Sequence, residues 1–192
     1  GMTAFDSSPS ANNAALYDTT WATGRDGGGA LLLDPSGPSH ISVPDSNAVD
    51  LLERVIVDAV VRLEAGSQTA LTLVSRGGRQ ADSGFHWVYV DAATGKLCFE
   101  GTTGDTIQTL TSEALAWESD QWYRVVVSLD NVLGVASFWR EDQHQGTRTF
   151  GAAYSWEGEE GRLYFGSRSD ALVANDTRAW AGTFDRISMG RK

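Results

Sequence analysis

Cysteine is almost absent from this chain, with Cys98 the only one in 192 residues. No intrachain disulfide can form, and a thiolate-based zinc site lacks its ligands. Cys98, between Leu97 and Phe99, reads as a small apolar residue rather than a nucleophile. No apolar run approaches the roughly 20 residues that span a bilayer, and no signal-peptide core follows the first residues. The expectation is a soluble chain, made in the cytoplasm for use in a virion or outside the cell, or cut from a secreted parent. Basic residues are scarce: 15 Lys and Arg stand against 25 Asp and Glu, a formal net charge of −10. A protein that grips a phosphate backbone needs a basic surface, so the charge weighs against nucleic acid and anionic membrane as partners. There are only 4 prolines against 21 glycines, and 41% of residues are hydrophobic, which excludes collagen-like, coiled-coil and disordered chains.

What is present is β-structure. Over 55–63 the odd positions Val55, Val57, Ala59, Val61 and Leu63 are apolar, while Asp58 and Arg62 fall on the other face. Tyr123, Val125, Val127 and Leu129 repeat the pattern over 121–130, and Asp130 and Asn131 read as a turn into a strand over 132–140. Further strands are predicted over 30–34, 40–43, 70–75, 85–91, 96–100, 106–111, 163–167 and 183–189. A short loop over 92–95 suits a hairpin. The one helical turn is expected over 46–53, capped by Ser46. Residues 1–13 are small and polar and read as a flexible tail, with Gly1 before Met2 as the remnant of a cleaved tag. Residues 14–192 then read as one domain without repeat or linker. Many strands with one apolar face and almost no helix predict an all-β, two-sheet antiparallel sandwich or barrel.

Several runs, taken in order, resemble the concanavalin A-like superfamily and its laminin-G-like jelly rolls. Gly29 to Asp34 followed by Ile41, Ser42, Val43 and Pro44 resembles its opening strands. Gln121, Trp122, Tyr123 and Arg124 leading to Asp130 resembles "W-x-H-V-A-V-T-Y-D". Leu163, Tyr164, Phe165 and Gly166 resemble "L-x-I-G", and Phe184, Asp185, Arg186 and Ile187 resemble the closing "I-D-E-V" strand. The resemblance implies a jelly-roll β-sandwich with a concave and a convex face, in which Trp122 and Trp180 pack in the core. It also implies a stabilising Ca²⁺ in many relatives, held by an aspartate of the closing strand and groups near the N-terminus. Asp185 matches that aspartate, with Asp18 and Asp26 as candidate partners; the alternative is that Asp185 merely pairs with a neighbouring group.

Catalysis finds little support. The superfamily's glucanases carry Glu-x-Asp-x-x-Glu on one strand, and the nearest string here is Glu157, Glu159 and Glu160 among glycines, which reads as a solvated turn. Glu141 and Asp142 read as a polar hairpin tip. No Gly-x-Ser-x-Gly elbow accompanies the three histidines, and Gly27 to Gly29 lack the Gly-Lys-Ser/Thr of a phosphate loop. Tryptophans in loop-like segments, Trp21, Trp117 and Trp156, are candidates to stack on a sugar ring, whose C–H-rich face matches a flat apolar surface. Phe85, His86, Trp87, Val88 and Tyr89 offer a further aromatic run, either as core or as the lining of the concave groove. Arg79 and Arg168 are candidate hydrogen-bond donors beside it. The expected function is a non-catalytic module binding carbohydrate or a protein surface, with a structural or virion-assembly domain as the alternative.

Overall fold

Val55, Val57, Ala59, Val61 and Leu63 alternate with more polar residues, and an extended strand is the conformation that sends alternate side chains to opposite faces. In the computed structural model they form a ten-residue strand, Arg54–Leu63. The structure describes residues 2–7, 11–34, 39–44, 54–64, 70–76, 85–103, 106–150, 162–167 and 182–190; the helical turn expected over 46–53 lies outside them. In chain order the strands are β1 (Met2–Ala4), β2 (Ala14–Tyr17), β3 (Thr19–Thr23), β4 (Gly29–Leu33), β5 (His40–Val43), β6 (Arg54–Leu63), β7 (Ala70–Arg76) and β8 (Phe85–Asp91). They continue with β9 (Lys96–Thr103), β10 (Thr106–Ala114), β11 (Trp122–Asp130), β12 (Val135–Arg140), β13 (Gln143–Thr149), β14 (Leu163–Phe165) and β15 (Gly182–Gly190).

Among the described residues these strands make two antiparallel sheets and no helix. One has eight strands in the order β1-β2-β5-β14-β7-β8-β9-β10, the other seven in the order β13-β12-β11-β6-β15-β4-β3. Their facing sides bury one apolar core: Val57, Val61, Val127 and Phe138 from the smaller sheet meet Leu73, Val88, Leu97 and Phe99 from the larger. The result is an all-β jelly-roll sandwich: the strand pattern predicted a sandwich or barrel, and the resemblance the jelly roll. Each fully buried side chain of this size contributes about 1.5–3 kcal/mol relative to exposure.

Four local expectations are corrected. Residues 2–4 are not part of a mobile tail but form β1, paired to β2 from Met2↔Leu16 to Ala4↔Ala14. The strand after Asp130 starts at Val135 rather than 132. Val132 and Leu133 are exposed in a turn, where Asp130 Oδ1 accepts the Leu133 N–H at 2.9 Å. Trp21 lies in β3 and not in a loop. The segment after the Glu141–Asp142 turn becomes β13, a polar edge strand with no alternation to betray it, held by backbone pairing to β12.

Beyond the strands, two features shape the rims. On one side the Arg148–Glu113 ion pair, 2.8 Å, ties β13 to β10 across the sheet edges. On the other side the chain passes from the larger sheet to the smaller at Asp18, whose φ is +46° and whose carbonyl accepts the Ser39 hydroxyl.

Candidate functional site

β6 runs through the middle of the seven-stranded sheet, so its outward residues have neighbours on both sides. Arg62 stands opposite Trp122 of β11 and Thr183 of β15, and Val60 stands opposite Arg124 and Arg186. A bulge between Phe184 and Arg186 inserts Asp185 and resets the alternation of β15. Phe184 therefore points into the core, while Thr183 and Arg186 share the outer face. Arg62, Trp122, Arg124 and Trp139 are half-buried there, with Arg186 exposed.

Most charges on this face are spent on one another. Arg124 grips Asp58 with two parallel bonds, Nε to Oδ1 at 3.0 Å and Nη2 to Oδ2 at 2.5 Å, and this partner pushes the guanidinium pKa up. Arg54 pairs with Asp130 at 2.8 Å. Arg62 differs. Its guanidinium carbon lies 5.2 Å from the centroid of the Trp122 ring, and its Nη2 donates to Thr183 Oγ1 at 3.3 Å. Its Nε is buried without an acceptor, and among the described residues no carboxylate pairs with it. Further along the same face, Trp139 packs beside His144 with ring centroids 5.3 Å apart.

The outer face of the eight-stranded sheet is different in kind. It is polar yet closed: Ser42, Ser75, Thr72 and Glu100 are all 3% exposed or less. Cys98 is buried on it, and burial pushes its thiol up to about 11, so no thiolate forms at neutral pH. At one end Tyr17 stacks on His40 at 4.5 Å, and His40 meets the edge of Tyr164 at 5.8 Å. A cavity of about 780 Å³ opens between the sheets at the β1–β3 side, with Trp21 and Phe5 at its rim. Its floor is core, including Leu31, Ile41 and Phe184, and its polar lining includes Asp6, Asn12, Asp185 and Arg186.

Few of the ligand-binding candidates singled out in the sequence fall among the described residues. Arg79, Trp156 and Arg168 lie outside the described residues, as do the side chains of His86 and Trp87 and the carboxylates over 157–160. The backbone of β8 places Trp87 opposite Ser75 and Glu100, with His86 at a bulge; the core residues of this strand are Val88 and Val90. Trp117 is not a free sugar platform. Its Nε1 donates to the Gly95 carbonyl at 2.8 Å, its ring meets Tyr123 edge-on at 5.0 Å, and Arg140 covers it at 5.6 Å. Trp122, expected in the core, is instead on the outer face. The phase of Tyr123, Val125 and Val127 carried that signal, just as the phase of β6 put Arg62 outside.

The three aspartates expected around Ca²⁺ are also separated. Asp18 precedes β3 while Asp26 follows it, about 20 Å away at strand rise. Asp26 and Asp185 do approach one loop, but Asp185 Oδ2 accepts the Arg25 N–H at 3.3 Å, and its carboxylate leaves no room for a side chain at Gly24. Among the described residues no group of three or more His, Cys, Asp or Glu side chains is placed to hold a metal. Asp185→Ala should therefore cost about 1 kcal/mol through the lost loop anchor, read as a lower melting temperature with and without EDTA. A wild-type melting temperature that drops on chelation, with no drop in the variant, would give the carboxylate to a calcium ion instead.

No protein-family model and no curated protein matches the sequence. Solved structures do resemble the fold. The binding domain of botulinum neurotoxin serotype D superposes with a TM-score of 0.68 at 13% identity, covering 98% of this chain and 45% of that one. Botulinum neurotoxin type C, which interacts with two ganglioside molecules, gives 0.63 at 13% identity over 96% of this chain and 45% of that one. The CBM40 domain of the Ruminococcus gnavus IT-sialidase, bound to α2,3 sialyllactose, gives 0.59 at 16% identity over 75% of this chain and 78% of that one. The chain thus spans less than half the length of the two toxin chains, and at these identities the likeness is one of fold: an all-β sandwich shared with glycan-binding domains.

Proposed function

We propose that the chain is a non-catalytic carbohydrate-binding module and that saccharide lies on the outer face of the seven-stranded sheet. The observation that carries this reading is the placement of two half-buried tryptophans, Trp122 and Trp139, on one open face together with arginine donors held by rigid strands. The two rings stand about 13 Å apart along the strands, room for more than one sugar unit. Aromatic surface beside fixed hydrogen-bond donors is what a ring with apolar C–H faces and polar edges requires. The fold likeness to domains that bind sialyllactose and gangliosides adds support.

The non-catalytic part rests on the carboxylates. On the strands of this face Asp58 and Asp130 are each held by an arginine and lie about 13 Å apart along β11, while Asp142, in the turn after β12, faces the same Arg124 as Asp58 at 3.8 Å. A glycosidase pair stands roughly 5–10 Å apart with one member free to carry a proton.

The test is a broad glycan array probed with wild-type protein and with Trp122→Ala, both checked for folding by melting temperature. Wild-type binding should be selective, and the variant about tenfold weaker, as expected for losing a stacked ring worth roughly 1.4 kcal/mol. A blank wild-type array with working controls would overturn the proposal and favour a protein surface or an assembly role.

A further inference from the structure

The pairing of charges across the seven-stranded sheet leaves two arginines without a carboxylate among the described residues. Arg54 and Arg124 on this face have carboxylate partners, and so do Arg25 and Arg148 elsewhere on this sheet's loops and edge. Arg140 is turned to the Ala116 carbonyl and the rings of Trp117 and Tyr123. Arg62 and Arg186 have no carboxylate among the described residues, in a chain where acids outnumber bases by 25 to 15. Acidic partners are thus abundant, yet Arg62 is left with a buried, orphaned Nε. A partly desolvated cation without a counter-charge is costly, and that cost falls when an anion arrives.

The group is also held ready. The Trp122 ring lies under the guanidinium, 5.2 Å from its carbon to the ring centroid, and Thr183, itself fully buried, holds Nη2 through its hydroxyl. Side-chain freedom is removed before a ligand binds, which favours affinity and selectivity together. Arg186 stands diagonally across β15, opposite Val60. Diagonal neighbours of this kind lie about 7–8 Å apart, within reach of one small anion for two long side chains. Val60, on the outer face yet only 5% exposed, supplies an apolar floor between them.

From this arrangement we infer that the module selects saccharides bearing an anionic group, a carboxylate or a sulfate, which docks on Arg62 with Arg186 as its second contact. The inference rests on the glycan-binding reading and names the class of ligand for the same face. Guanidinium suits the task because its planar donors match carboxylate and sulfate oxygens in pairs.

The experiment compares matched acidic and neutral glycans on the array, then titrates 3′-sialyllactose, 3′-sulfated lactose and lactose against wild type, Arg62→Gln, Arg62→Lys and Arg186→Gln. In ¹⁵N-labelled protein the Arg62 Nε–H resonance, assigned by its absence in Arg62→Gln, reports the site directly. Acidic glycans should bind at least about tenfold tighter than their neutral partners. Arg62→Gln should bring them down toward the neutral level, losing at least about tenfold more for acidic than for neutral glycans; Arg62→Lys should restore part, and Arg186→Gln should lose less. The sialyl and sulfated probes separate carboxylate from sulfate. If neutral glycans bind as well as acidic ones and Arg62→Gln changes nothing, this inference fails while the glycan reading stands. If no glycan binds at all, the glycan reading fails. An Nε–H resonance then unmoved by N-acetylneuraminic acid and by sulfate removes the anion site as well. Should Arg62→Gln not fold, Arg62→Lys, which also lacks the guanidinium Nε–H, assigns the wild-type resonance and decides the matter.

Discussion

Gly95→Ala should destabilise the protein by about 3 kcal/mol, more than a change of one methyl group suggests. Gly95 closes the loop between β8 and β9 with φ +68°, in the left-handed region where a Cβ costs about 1–2 kcal/mol. A second penalty comes from space. A Cβ there would sit 2.1 Å from the Leu115 carbonyl oxygen, a backbone atom that cannot swing aside. The same residue organises its surroundings: its N–H donates to Asp91 O at 2.7 Å, and its carbonyl accepts the Leu115 N–H at 3.2 Å and Trp117 Nε1 at 2.8 Å. Any shift that relieves the clash strains these bonds and loosens Trp117 over Tyr123. The control is Gly27→Ala, where φ is +80° but nothing lies within 4 Å of the added atom, so only the conformational cost of about 1 kcal/mol applies. Urea unfolding of both variants measures the difference. Equal losses would mean that the close approach to Leu115 is wrong.

The second large effect separates two adjacent residues. Phe138→Ala should cost about 3–5 kcal/mol, because the ring is completely buried in the core and its removal leaves a cavity. Trp139→Ala should cost under about 1 kcal/mol, although tryptophan is the larger residue, because it lies half-buried on the outer face beside His144. The contrast follows from register. Val127↔Phe138 is a core pair and Val126↔Trp139 an outer pair, and a slip of one residue would exchange the two. Denaturation of both variants reads the register, and a reversed order would refute it. The stable Trp139→Ala protein is then also suited to glycan titration.

How much of this was legible depends on how far each signal reaches along the chain. β6 and β11 were readable because burial on one face imposes period 2 over nine or ten residues. β13 was not, since an edge strand such as Gln143–Thr149 needs only backbone partners on β12 and carries polar residues on both faces. β1 was missed for a similar reason: three residues paired to β2 hold no pattern long enough to see. Trp122 is the instructive case. The phase of its own strand put it outside, while the likeness to a known strand motif put it in the core, and the phase was right.

The candidate site lies at the opposite end of this scale. That Arg62 faces away from the core could be read from its neighbours, and so could the scarcity of basic charge. That no carboxylate among the described residues pairs with it could not. Its contacts are Trp122 on β11 and Thr183 on β15, the latter 121 residues away in the chain, and Thr183 comes into line only in the pairing register that precedes the bulge at Asp185. The separation of Asp18 from Asp26 was hidden for the same reason, since β3 carries them to opposite ends of a strand that the sequence did not announce. Composition and alternation by themselves determined an acidic, antiparallel all-β sandwich or barrel and the outward face of its central strand, because burial acts residue by residue along a strand. Which charged groups meet, and which stand without a carboxylate among the described residues, was decided only by the tertiary structure, because strand order and register join residues that no local pattern connects.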